Sequence, residues 1–262
     1  MSVWNLSERF ETSQGTVRWT CWGQGSPVVF LHGTPFSSYV WRDVADAISS
    51  RHTVFAWDML GYGQSEMREG QDVSLATQGR VFADLLEHWG LTKPLVVAHD
   101  FGGTVALRAH LLHGAVYRRL ALIDPVALAP WGTGFFRLVG EHAEAFRRLP
   151  PELHRALVRE YVSSASNPGL HPAGLDDLVE PWLGDRGQPA LYRQMTQADQ
   201  RYTEEARIAT VGSTFPSWCA GVPKTRGCPR VRHRNWSPAS RARSSGSSLR
   251  LVISCRKTHP RS

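Results

Sequence analysis

No apolar run in this 262-residue chain approaches the roughly eighteen residues that a membrane-spanning helix needs, which excludes such a span. Between Met1 and Phe10 no basic segment leads into an apolar one, so no secretory leader is read there. Cysteine is scarce: four residues without a framework spacing argue against a disulfide-stapled secreted domain and for a cytoplasmic one. Acidic residues run out after Glu205. From Arg207 to Ser262 the chain holds 12 Lys and Arg and no Asp or Glu, so residues 1–206 carry a net −5 inside an overall +7. That final stretch also holds three of the four Cys, with abundant Ser and Pro. Basic asymmetry of this kind ordinarily suggests an arm for nucleic acid or membrane. The rest is rich enough in apolar residues (42%), with ten Trp, to bury a sizeable core.

Residues 1–125 alternate between short apolar runs and helical spacing. Val17 to Trp22, Val28 to Leu31, His52 to Trp57, Pro94 to Ala98 and Arg119 to Ile123 read as strands. Helices are expected from Ser37 or Ser38 to about Ile48, over 74–90 and from about Phe101 to His113. Fully apolar strands alternating with helices imply an α/β fold, a mostly parallel sheet with helices on both faces. Residues 126–205 lose that alternation and read as helices over Phe136 to Arg148, Pro151 to Ser164 and Ala190 to Gln200. The chain thus divides at 1–125, 126–205 and the basic 206–262.

The sharpest local signal is Ala98-His99-Asp100-Phe101-Gly102-Gly103, placed between an apolar strand and a helix. Small residues two before and two after a central nucleophile suit a tight, strained turn that lifts the side chain above the sheet at a helix N-terminus. The central residue here is Asp100. A carboxylate needs no base; it can attack a saturated carbon directly and form an ester with the protein. Water would then have to cleave that ester, with the N–H groups of Phe101 and Thr34 as candidates to hold the developing oxyanion. Read alone, Asp100 is also an ordinary helix N-cap. The His32-Gly33-Thr34-Pro35 turn after an earlier strand favours the nucleophile.

These residues resemble the α/β-hydrolase fold in its Asp-nucleophile branch, the haloalkane and fluoroacetate dehalogenases and the epoxide hydrolases. The likeness is carried by His32 to Pro35 with Ser37 to Arg42, by Asp58-Met59-Leu60-Gly61-Tyr62-Gly63-Gln64-Ser65, and by His99 to Gly103. It covers about residues 8–205 and implies a helical cap over 126–205 that shields the displacement from water. The stretch from Ser37 to Arg42 is similar to haloalkane dehalogenases, so cleavage of a carbon–halogen bond is placed first and epoxide opening second. In the dehalogenases a Trp after the nucleophile grips the halide; here Phe101 stands there without an N–H, which leaves Trp131 or Trp182 of the cap as donors. For epoxide opening, Tyr192 is the plausible hydroxyl and Tyr161 is expected to be a half-buried packing residue.

The resemblance requires a triad in the order nucleophile, acid, His. Asp124, after the strand ending at Ile123, is a candidate acid, although Ile-Asp-Pro is also an ordinary strand-end turn. The final stretch offers only His233 and His259, neither in the family's Gly-His setting. Back-translated in a shifted frame, Cys255 to Ser262 allows Gln-Glu-Asp-Ala-Pro-Glu-Val, and Leu251 to Ile253 allows Gly-His just before it. The same shift over Pro223 to Pro229 allows Glu-Asp-Thr-Trp-x-Pro. Both resemble the family's missing His and acid loops, so a frameshift near Ala206 is expected, with the last strands of the sheet and the catalytic His lost. The rival is a basic arm that binds nucleic acid by counterion release, or a catalytically inactive fold. His32 is expected to pin the oxyanion loop and His99 to point away from the site. His110 and His113 lack a third ligand for a metal, and Gly61-x-Gly63 lacks the rest of a dinucleotide fingerprint. The expectation is therefore a cofactor-free hydrolase whose partners are a small apolar organic substrate and water, with no nucleic acid and no membrane.

Overall fold

The computed structural model describes residues 4–166, 170–210 and the backbone of 219–222. Seven strands form one mixed sheet: β1 (Glu8–Thr12), β2 (Gly15–Gly23), β3 (Ser26–Leu31), β4 (His52–Trp57), β5 (Leu95–His99), β6 (Arg119–Ile123) and β7 (Cys219–Val222). Their order is β1-β2-β4-β3-β5-β6-β7. β1 and β2 pair antiparallel, as does β2 with β4; the pairs β3–β4, β3–β5, β5–β6 and β6–β7 are parallel.

β3 shows why the sheet sorts its core into two layers. Successive side chains point to opposite faces. Val28 and Phe30 join Trp41, Ala45 and Val54 on one side, while Val29 and Leu31 join Phe55, Trp57, Phe82 and Leu85 on the other. Helices α1 (Arg42–Ser49), α2 (Leu75–His88) and α3 (Phe101–His113) connect the strands. α3 is buried continuously from Phe101 to Ala109, as expected of a helix covered on all sides.

After β6 come α4 (Gly134–Arg147), α5 (Pro151–Ser164), α6 (Pro172–Val179), α7 (Gly184–Thr196) and α8 (Arg201–Ala209). The expected start of α7 at Ala190 is six residues late. Pro189, just before the expected start, lies inside the helix. β1, α6 and α8 carry no strong periodic signal and are not anticipated. The stretch beyond 206 is expected to bring no strand, but Cys219–Val222 pairs with β6 at Leu120 to Ile123. Backbone pairing is tolerant of side-chain identity, and β6 presents unpaired groups that such a segment satisfies. His233, His259 and the two shifted sites lie outside the described residues. Among the described residues no helix is long and apolar enough to cross a membrane.

Candidate active site

Asp100 sits between β5 and α3 with φ 52° and ψ −121°, a left-handed setting that a non-glycine residue adopts only under constraint. The constraint is visible. Its N–H donates to the Ile123 carbonyl, and its own carbonyl accepts from Gly103 and Val126. Those bonds tie the elbow to the end of β6 and to the first turn of α3. Two glycines let the loops close on it. A Cβ on Gly33 would lie 2.3 Å from the Asp100 Cβ, and one on Gly102 would lie 2.5 Å from the His32 carbonyl oxygen.

That closeness allows the Thr34 N–H to donate to Asp100 Oδ1 at 2.9 Å. The Phe101 N–H also bears on the carboxylate. Burial pushes the Asp100 carboxyl above the usual carboxylate range, and Asp124 adds to the rise; His99 and the two N–H groups pull the other way. The two expected oxyanion donors, Thr34 and Phe101, therefore converge on Asp100. Asp124 stands at the end of β6 with φ 43°, within the electrostatic reach of Asp100.

His32 is fully buried. Its Nε2 accepts from the Met59 N–H at 3.0 Å, which leaves the proton on Nδ1 facing the Gly33 carbonyl. Burial lowers its pKa more than nearby Asp58 raises it, so the ring stays neutral and fastens the loop before Thr34. Asp58 in turn accepts from the N–H groups of Ser38 and Gln64, and a Cβ on Gly63 would strike its Oδ2 at 2.0 Å. The His99 ring packs near Phe36 and Trp41.

The helices after β6 fasten onto these loops. Trp182 Nε1 donates to the Pro35 carbonyl at 2.6 Å, the Tyr62 hydroxyl donates to Gln194 Oε1 at 2.9 Å, and the Val73 N–H donates to Gln197 Oε1 at 2.7 Å. Two expectations change. Trp182 has its only N–H committed to Pro35, and Trp131 has its own committed to Thr203 Oγ1 at 3.0 Å, so neither indole is free to grip a halide. Trp131 instead packs edge-on against Phe101, ring centroids 5.5 Å apart. Tyr192 is fully buried inside the helical layer, its hydroxyl on His154 Nδ1 at 2.8 Å and its pKa pushed up to about 12 by burial. Tyr161 is half-buried and packs on Phe135, as read from sequence, and the Asp100 charge opposes its ionisation. Tyr62 feels the same charge.

Sequence reasoning missed Tyr62 and Gln194. Gly61-Tyr62-Gly63 is visible as a glycine-rich turn, and the tyrosine it holds is the informative residue. Gln194 carries no sequence signal.

The family described as alpha/beta hydrolase fold matches residues 26–215. Haloalkane dehalogenase 2 of Mycobacterium tuberculosis is 31% identical over 115 residues, covering 42% of this chain and 40% of that protein. The soluble epoxide hydrolase of Corynebacterium sp. (strain C12) is 38% identical over 106 residues, 40% of this chain and 36% of that protein. The chain thus matches about 40% of the length of these curated relatives. The crystal structure of an alpha/beta hydrolase fold protein from Burkholderia ambifaria superposes with a TM-score of 0.79 at 43% identity, covering 83% of this chain and 79% of that one. Fold, elbow and family match agree: this chain belongs to the alpha/beta hydrolase fold family.

Proposed function

We propose that Asp100 is a nucleophile that opens an epoxide through an alkyl-enzyme ester. The observation that carries this reading is the Thr34 N–H on Asp100 Oδ1, at a residue held in a left-handed elbow. With Oδ1 anchored in this way, the carboxylate is oriented for attack on carbon. As the new C–O bond forms, the ring C–O bond breaks and its oxygen takes a proton from the Tyr161 hydroxyl. Burial and the charge of Asp100 both oppose ionisation of Tyr161. Esterification removes that charge, so Tyr161 becomes more acidic as the alkoxide appears. Water added to the ester carbonyl would give an oxyanion facing Thr34 and Phe101, and collapse would release a diol. The helices over 126–205 act as a cap that keeps bulk water from the displacement.

The order of substrates given by the sequence is reversed here, because both cap indoles are occupied and Phe101 has no ring N–H. Haloalkane cleavage stays as the second reading on the similarity of Ser37 to Arg42. The hydrolytic step needs a base. The buried His32 and His154 commit both ring nitrogens within the protein, and we infer that the working His was lost with a frameshifted stretch from 207 onward. Asp124 is the acid that would orient such a His. Resequencing the locus tests the frameshift: an unshifted frame confirmed by a C-terminal peptide refutes it. Parallel incubation with styrene oxide and 1-bromobutane tests the substrate order. Faster modification of the chain by the epoxide is expected; faster modification by the bromide reinstates the dehalogenase reading.

A further inference from the structure

Beside the Asp100 carboxylate lies a group of buried polar atoms that the ester mechanism leaves unused. Tyr62 is 2% exposed and its ring lies between His32 and Trp182, centroids 5.3 and 5.4 Å away. Trp182 is itself bonded to Pro35, next to Thr34. Tyr62 is therefore pressed against the loop whose Thr34 N–H holds Asp100. Its hydroxyl donates to Gln194 Oε1, and Gln194 is 2% exposed. Gln194 Nε2 is buried with no hydrogen-bond partner, while the Thr34 hydroxyl faces that of Tyr62.

A buried amide without a partner costs about 1–3 kcal/mol, so a native fold keeps one only where something else supplies the bond. With the phenol donating to Oε1, the amide N–H groups of Gln194 are donors that no protein acceptor uses. Surplus donors next to an attacking carboxylate recognise an acceptor on the substrate.

We propose that the Gln194 amide, held in place by Tyr62, forms a donor subsite that selects substrates carrying an oxygen acceptor, a carbonyl or ether oxygen, next to the carbon under attack. Hydrocarbon-like substrates leave these donors unsatisfied and bind less well. The inference builds on Asp100 as the reacting group, but its test does not need the reaction.

Equilibrium dialysis of the full chain with acetophenone and with ethylbenzene compares two ligands of like shape, only one of which has an acceptor. The wild type is expected to bind acetophenone about tenfold more tightly, the value of one hydrogen bond in a dry site. Gln194→Leu should abolish that preference and leave ethylbenzene binding unchanged. Where Gln194→Leu fails to fold by circular dichroism, Tyr62→Phe carries the test and should reduce the preference. No preference in the wild type, no binding of either compound, or equal weakening of both in a folded variant overturns the subsite. A wild-type preference without any Asp100 adduct from an epoxide removes the reading of Asp100 and leaves the subsite standing.

Discussion

Replacing Gly33 with alanine puts a methyl group into the contact that sets the geometry of the site. The added Cβ would lie 2.3 Å from the Asp100 Cβ and 2.5 Å from Oδ1, whereas ordinary contact begins near 3.4 Å. The two loops must part by about 1 Å, because both atoms belong to stiff segments. The Thr34 N–H, now 2.9 Å from Oδ1, then falls outside hydrogen-bond range. Overpacking of this kind costs about 1–3 kcal/mol, or about 2–10 °C in melting temperature for a chain of this size. A displacement of about 1 Å at the reacting atom lowers the rate of alkylation about 100-fold. Thermal unfolding gives the first number and timed intact-mass spectrometry with styrene oxide gives the second. A Gly33→Ala chain that melts and alkylates like the wild type would refute the argument that the closeness of these loops positions Asp100.

Asp100→Asn should stabilise the chain at neutral pH. The folded carboxyl has a raised pKa, so the stability linked to its protonation is present below the unfolded value and is lost as pH rises through the folded one. The gain in melting temperature should vanish at low pH; a gain independent of pH contradicts the assigned cause. Tyr161→Phe should slow epoxide alkylation about 100-fold, the lower bound for losing a general acid, while Tyr192→Phe leaves the rate unchanged. The opposite ranking would return the acid role to Tyr192. Bromide added up to high concentration should not protect Asp100 from the epoxide, because the Trp131 and Trp182 N–H groups are already bonded. Competitive protection that disappears in Trp182→Phe would show that this indole does reach a halide.

The elbow was legible because its information is local. Asp100, Gly102 and the Thr34 turn sit at fixed offsets from short apolar strands, and tight packing between the two loops dictates small residues there. Strands β2 to β6 were legible for the same reason: buried parallel strands read as continuous apolar runs. The helices after β6 were only partly legible. Trp182 meets Pro35 across 147 positions and Tyr62 meets Gln194 across 132, so no spacing rule announces either bond. The choice between Tyr161 and Tyr192 likewise depends on which face of α5 or α7 turns toward Asp100. Both tyrosines lie on amphipathic helices, and only the tertiary packing separates them. The expected start of α7 at Ala190 falls just after Pro189, which in the structure lies inside the helix.

The most direct test of Asp100 as the nucleophile is peptide mapping of the full chain after incubation with styrene oxide. The account predicts a mass gain of one epoxide molecule, localised to the peptide containing Asp100, persistent because no base completes the hydrolysis, and absent from Asp100→Asn. A folded chain with no adduct, or with its adduct on another residue, contradicts it.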